Sequence, residues 1–167
     1  MAVLFDAEDQ DGIRGDLATF FGPHADRFLA VYGKMRERHQ KQRRYLLSWN
    51  WMAFFAPPVW FCYRKQYIAA AVVFLIPVLL SYVIGSAGSS ALIIIPIMAN
   101  FWYVQVGLSR IAKANDQGLE GEARADYLRA SGGVSKLAGG IVGVPFGLLL
   151  ALAIYGTYLN LSAEAVG

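Results

Sequence analysis

The chain has 167 residues, enough for one domain, and a formal net charge of +3. It is 56% hydrophobic and only 16% charged, whereas an ordinary soluble domain carries about a quarter charged residues. The basic excess does not point to nucleic acid, because the cations flank apolar runs, where orientation of a membrane protein requires them. A lone cysteine, Cys62, excludes an intrachain disulfide.

Residues 1–16 are acidic: Asp6, Glu8, Asp9, Asp11 and Asp16 stand against Arg14. They read as a mobile tail. The run LATFF is too short, and too closely surrounded by charges, for a cleavable signal. Gly22-Pro23 reads as a helix start, since proline suits the first helical position. Phe28, Tyr32 and Met35 follow at helical spacing, with Ala25 and Leu29 beside them. The same helix turns cationic at Lys34, Arg36, Arg38, Lys41, Arg43 and Arg44. Each such cation near an anionic lipid surface contributes about 1 kcal/mol. The segment also reads as a solvated face that enforces topology. Residues 1–47 are thus an acidic tail and a basic cytoplasmic helix.

Residues 48–67 hold three of the four tryptophans and the pair Pro57-Pro58. Trp and Tyr collect at membrane–water boundaries, and a proline pair breaks a helix. Cations stand on both sides, so an interfacial or re-entrant helix–turn is favoured over a span. Trp49, Trp51, Trp60, Tyr63, Arg64 and Lys65 are the expected membrane-interface residues.

Residues 68–161 hold three apolar stretches, Ile68 to Ile84, Ala91 to Leu108 and Leu137 to Leu159. A span needs about 20 apolar helical residues, and the stretches predict three transmembrane helices. The fold class is therefore an all-α membrane protein with three spans, an amino-terminal amphipathic helix and an interfacial aromatic segment. Gly85 to Ser90 is a tight turn. The loop 109–136 is polar, with a short helix over Leu119 to Ala130 ended by Gly132-Gly133. Residues 162–167 form a tail. Ten Lys and Arg precede Gln66, and five lie between Arg110 and Lys136. The positive-inside rule then predicts a multi-pass protein with a cytoplasmic amino terminus and an external carboxyl terminus.

Gly139, Gly143, Gly147 and Ala151 recur every four residues and form a small-residue face for close helix packing. Each stretch carries one proline, Pro77, Pro96 or Pro145, read as a fixed kink. Asn100 is the deepest amide and should hydrogen-bond across helices. His24, His39 and Cys62 lack the spacing of a zinc site. Asp116, Glu120, Glu122 and Asp126 read as a solvated helix face. No nucleophile has a base placed beside it by the sequence. The expectation is a protein that is not an enzyme, with no metal or other cofactor.

Trp49, Asn50, Trp51, Ala53, Phe54, Phe55, Trp60, Tyr63, Arg64, Lys65 and Tyr67 form a pattern that resembles the bacterial domain-of-unknown-function family 2628. Gly22-Pro23 with Ala25-Asp26, and Gly132 to Ser135, resemble further elements of it. Ala56-Pro57-Pro58, where a glycine is common, and Gln66, where methionine is common, depart from its pattern. The resemblance implies a small bacterial membrane protein, hence the inner membrane, and imports no activity. The leading expectation is a non-catalytic accessory or assembly subunit of a larger respiratory or photosynthetic complex. The glycine face is its packing surface, and a homo-oligomer is compatible with it. The alternatives are an anionic-lipid-binding protein using Lys34 to Arg44, and a small oligomeric transporter or channel.

Overall fold

The structure, a computed structural model, describes residues 9–41, 48–85 and 93–164. Among these residues it is all helical: α1 Gln10–Phe21, α2 Ala25–Gln40, α3 Trp51–Phe55, α4 Pro57–Tyr63, α5 Tyr67–Ile84, α6 Ile94–Asp116, α7 Gly121–Ser131 and α8 Lys136–Glu164. Expectations for residues 1–8, for the turn at Gly85 to Ser90 beyond Gly85, and for Arg43 and Arg44 fall outside the described residues.

The acidic segment is not a tail from Gln10 onward. Asp9 caps α1 by accepting a hydrogen bond from the Gly12 amide at 2.8 Å. Ile13, Leu17, Phe20 and Phe21 then make one buried stripe at helical spacing. Asp16 faces the other way and pairs with Arg124 of α7. The α1–α2 turn uses two left-handed residues, Gly22 and His24, so α2 starts at Ala25 rather than at Pro23. Phe28, Val31, Tyr32 and Met35 bury the expected face of α2.

The central element is α6. Its buried stripe runs through Ile95, Ala99, Tyr103, Val104, Leu108, Ile111 and Ala114, over the whole length of the helix. This corrects the expectation of a second span at Ala91 to Leu108. The stretch is apolar because α1, α2, α3 and α7 cover it, not because lipid does. Periodicity and length cannot separate a span from a helix buried in protein. Pro96 lies in the first turn of α6, where its missing N–H is not needed, and is no kink.

Beneath this head, α5 and α8 lie mostly uncovered. Among residues 67–83 of α5 only Ala70, Val73 and Pro77 are buried, and its apolar run Tyr67–Val83 is shorter than a span requires. Among residues 136–162 of α8 none is buried. Its 29 residues rise about 43 Å. Among the described residues it supplies the one helix long and apolar enough to cross a membrane. The expected three-span fold and multi-pass topology are therefore overturned.

The head grips α8 through the linker 132–135. The Gly133 amide donates to the Phe20 carbonyl at 2.6 Å, and the Ser135 amide to the Tyr63 carbonyl at 2.7 Å. The Tyr103 hydroxyl donates to the Gly133 carbonyl at 3.3 Å. A Cβ on Gly132 would stand 2.2 Å from the Phe20 carbonyl oxygen. Gly132→Ala is thus expected to lower head stability by about 1–3 kcal/mol. Gly140→Ala, with open space at its Cβ, should change it little. Thermal unfolding in mild detergent compares the two.

Burial raises the Tyr103 hydroxyl above its ordinary value, against the opposing charge of Arg64. A raised value makes the neutral form a source of stability that is complete below the unfolded value of about 10. That stability is lost as pH rises through the folded value. The parent should therefore unfold more readily above about pH 10, and Tyr103→Phe should be less sensitive to alkali. Unfolding midpoints across pH test this.

Candidate functional site

The surface that distinguishes this protein is its uncovered apolar side, and it is organised around α4. Pro57 and Pro58 occupy the first two positions of α4. The proline pair therefore opens a helix as well as ending one, and the break falls at Ala56. Among its neighbours α4 packs most extensively on α5 and α8. Trp60 and Phe61 point into the core.

Arg64 follows, and its position is unlike the expected one. It is 95% buried rather than at an interface (5% exposed). Its guanidinium lies over the rings of Phe28 at 4.6 Å and Tyr103 at 5.1 Å. It donates to the Phe21 carbonyl at 3.2 Å. No carboxylate pairs with it in a described ion pair, so cation–π attraction and a carbonyl dipole offset its desolvation. Lys65 takes a left-handed conformation. Its ammonium reaches the Arg129 and Ala130 carbonyls at the end of α7, both at 3.4 Å, complementing that helix terminus.

The other end of the aromatic segment is tied to α6 by polar groups. Asn50 and Asn100 are both buried, and Asn50 Nδ2 donates to Asn100 Oδ1 at 2.8 Å. Asn100 in turn donates to Ser48 Oγ at 2.9 Å. Asn50 Oδ1 caps α3 by accepting from the Ala53 amide. The Ser48 and Asn50 amides donate to the Ile97 and Pro96 carbonyls. The expected cross-helix bond of Asn100 is present, and its partner is Asn50, a residue singled out in the sequence only within an aromatic motif.

This anchoring turns the aromatic rings outward. Trp49, Trp51, Phe54 and Phe55 contact one another with centroids 5.0–6.2 Å apart. All four are exposed, Phe55 by 67%. Of the expected interface residues, Trp49 and Trp51 are thus on the surface, Tyr63 and Lys65 are half-buried, and Trp60 and Arg64 are inside.

The small-residue face of α8 is split. A Cβ on Gly139 would meet Tyr63 at 3.1 Å, and one on Gly143 would meet Val59 at 3.3 Å. Gly147 meets nothing, and Ala151 is exposed. The face packs on the chain's own α4 at its first two positions, about one turn, and is open at Gly147 and Ala151. On α2, Lys34 and Lys41 are exposed, Lys41 in an ion pair with Glu37, while Arg36 and Arg38 are half-buried. Among the described residues no three His, Cys, Asp or Glu side chains gather where they could hold a metal. Burial raises the Cys62 thiol above its usual value, which disfavours the reactive thiolate. An open, largely apolar recess of about 360 Å³ lies between α5 and α6, lined by Gln66, Ala69, Trp102 and Gln105 among others.

The family described as "Protein of unknown function (DUF2628)" matches residues 16–114, and the chain belongs to it. The match begins in α1, ends in α6, and includes the whole aromatic segment. It stops before α7 and α8. No curated protein and no solved structure matches the chain.

The split glycine face makes a testable contrast. Gly143→Leu should lift α8 from α4 and lower thermal stability by about 1–3 kcal/mol. Gly147→Leu fills open space and should leave unfolding of the purified protein unchanged. Unfolding monitored by near-ultraviolet circular dichroism distinguishes them.

Proposed function

We propose that this member of the DUF2628 family is a membrane-anchored, non-catalytic accessory protein: a helical head carried on one apolar helix, α8. The observation that carries the reading is the exposure of α8. A helix this long and apolar is expected inside a protein core or inside lipid. None of residues 136–162 of α8 is buried. Water is a poor medium for such a surface, and a bilayer is a good one.

The head supports an accessory role. Its conspicuous polar groups serve structure: Arg64 holds aromatic rings, Asn50 and Asn100 bind each other, and Arg124 joins α7 to α1. Beyond Gly143 the open small-residue side of α8 suits close approach of another membrane helix. The reading assigns the chain to a larger membrane assembly as a packing subunit.

Alkaline carbonate extraction tests the anchor. The full chain should stay with the membrane pellet. Leu148→Arg combined with Leu149→Arg should release it, because each arginine at the centre of a span costs about 2.5–3.5 kcal/mol. Both leucines are exposed, so the head should keep its helical circular-dichroism spectrum. Retention of the double variant in the pellet would refute the anchor.

A further inference from the structure

The start of α4, next to the exposed aromatic cluster, can be placed along α8. Tyr63 faces Gly139 and Val59 faces Gly143, so α4 runs antiparallel to α8. From Tyr63 to Pro57, six helical rises carry the chain about 9 Å along α8 and away from the head. The α3–α4 break at Ala56 lies at that far end. Trp60 and Arg64 of α4 contact the Tyr103 ring, while Asn50 bonds to Pro96 and Asn100 on α6.

The charges mark the other level. Lys65 and Lys136 stand at the starts of α5 and α8, beside Tyr63 and Ser135. From Ser48 to Tyr63 there is no charged residue. The backbone of the aromatic turn is largely satisfied from within. The Phe54 and Ala56 amides donate to Asn50 and Met52, Asn50 caps α3, and the two prolines remove two donors at the start of α4. An apolar tip of this kind can leave water without stranding those polar groups.

We infer that Trp49, Trp51, Phe54 and Phe55 form a wedge that inserts into a phospholipid bilayer at the boundary between headgroups and acyl chains, beside α8. This rests on the reading of α8 as the membrane anchor. The occupant is lipid rather than protein for three reasons on the molecule itself. The α3–α4 break that carries the tip lies about 9 Å beyond the cation level along α8, within the roughly 5–10 Å burial of interfacial apolar faces. Its rings, two of them indoles, are those that favour that boundary. Its apolar surface continues through α4 onto α5 and α8, which are exposed as well. Lys136, exposed at the head side of the tip, complements anionic headgroups.

Site-directed spin labelling tests this. The full chain, with Cys62→Ser, is placed in vesicles of mixed neutral and anionic phospholipid. Nitroxides are attached separately at Phe55→Cys, Leu149→Cys and Lys34→Cys. Collision with oxygen, which concentrates in lipid, is compared with collision with a water-soluble nickel chelate. The wedge predicts a several-fold higher oxygen-to-nickel ratio at Phe55 than at Lys34, with Leu149 deeper still. Trp51→Cys, labelled in the same way, must agree with Phe55. If Phe55 and Trp51 match Lys34 while Leu149 lies in lipid, the wedge is wrong and the anchor stands. If Leu149 also faces water, both readings fall. Labels at Phe55 and Trp51 that are closed to both reagents would show coverage by a second copy of the chain and would equally overturn the wedge.

Discussion

Three helices of the head, α1, α2 and α6, converge on the buried guanidinium of Arg64. A cation removed from water loses several kcal/mol of hydration. Here it recovers interaction from the faces of Phe28 and Tyr103 and from the Phe21 carbonyl. Those three partners come from α2, α6 and α1. One side chain at the end of α4 therefore fixes the helix that carries α5 and α8 against the three that make the core. Tyr103 completes the join, with its ring on Arg64 and its hydroxyl on the linker to α8. A desolvated cation needs its rings and carbonyl together, so the site favours a single arrangement.

From that join the molecule divides into two kinds of apolar helix. One kind, α6, is covered by protein along its whole length. The other, α8, is approached by α4 at Gly139 and Gly143 and is mostly exposed beyond them. The linker between α7 and α8 is bonded at Phe20, Tyr63 and Tyr103. The helix thus leaves the head in a fixed direction rather than on a flexible tether.

This division also explains how far the sequence could be read. Phe28, Tyr32 and Met35 lay at a spacing that only a helix makes productive, and they are buried as expected. The run Leu137 to Leu159 was apolar, uncharged and long, and it is the exposed helix. Ala91 to Leu108 looked similar by hydropathy, yet Tyr103, Val104 and Leu108 meet other side chains of the head. Hydropathy reports that a segment avoids water, not what replaces the water. In α1 the charges of Asp11, Arg14 and Asp16 concealed the stripe Ile13, Leu17, Phe20 and Phe21, although its spacing was present. The burial of Arg64 had no local signal. A cation after an aromatic run reads as interfacial, and only the approach of Phe28 and Tyr103 from distant parts of the chain makes it a core residue.

The proposed anchor requires lipid to cover the surface of α8. Hydrogen exchange of the full chain in lipid nanodiscs addresses that surface directly. If lipid covers it, amides of 144–161 resist exchange as strongly as those of the core helix α6. Rapid exchange across 144–161 in the nanodisc, with α6 still protected, would show that α8 lies in water and would contradict the account.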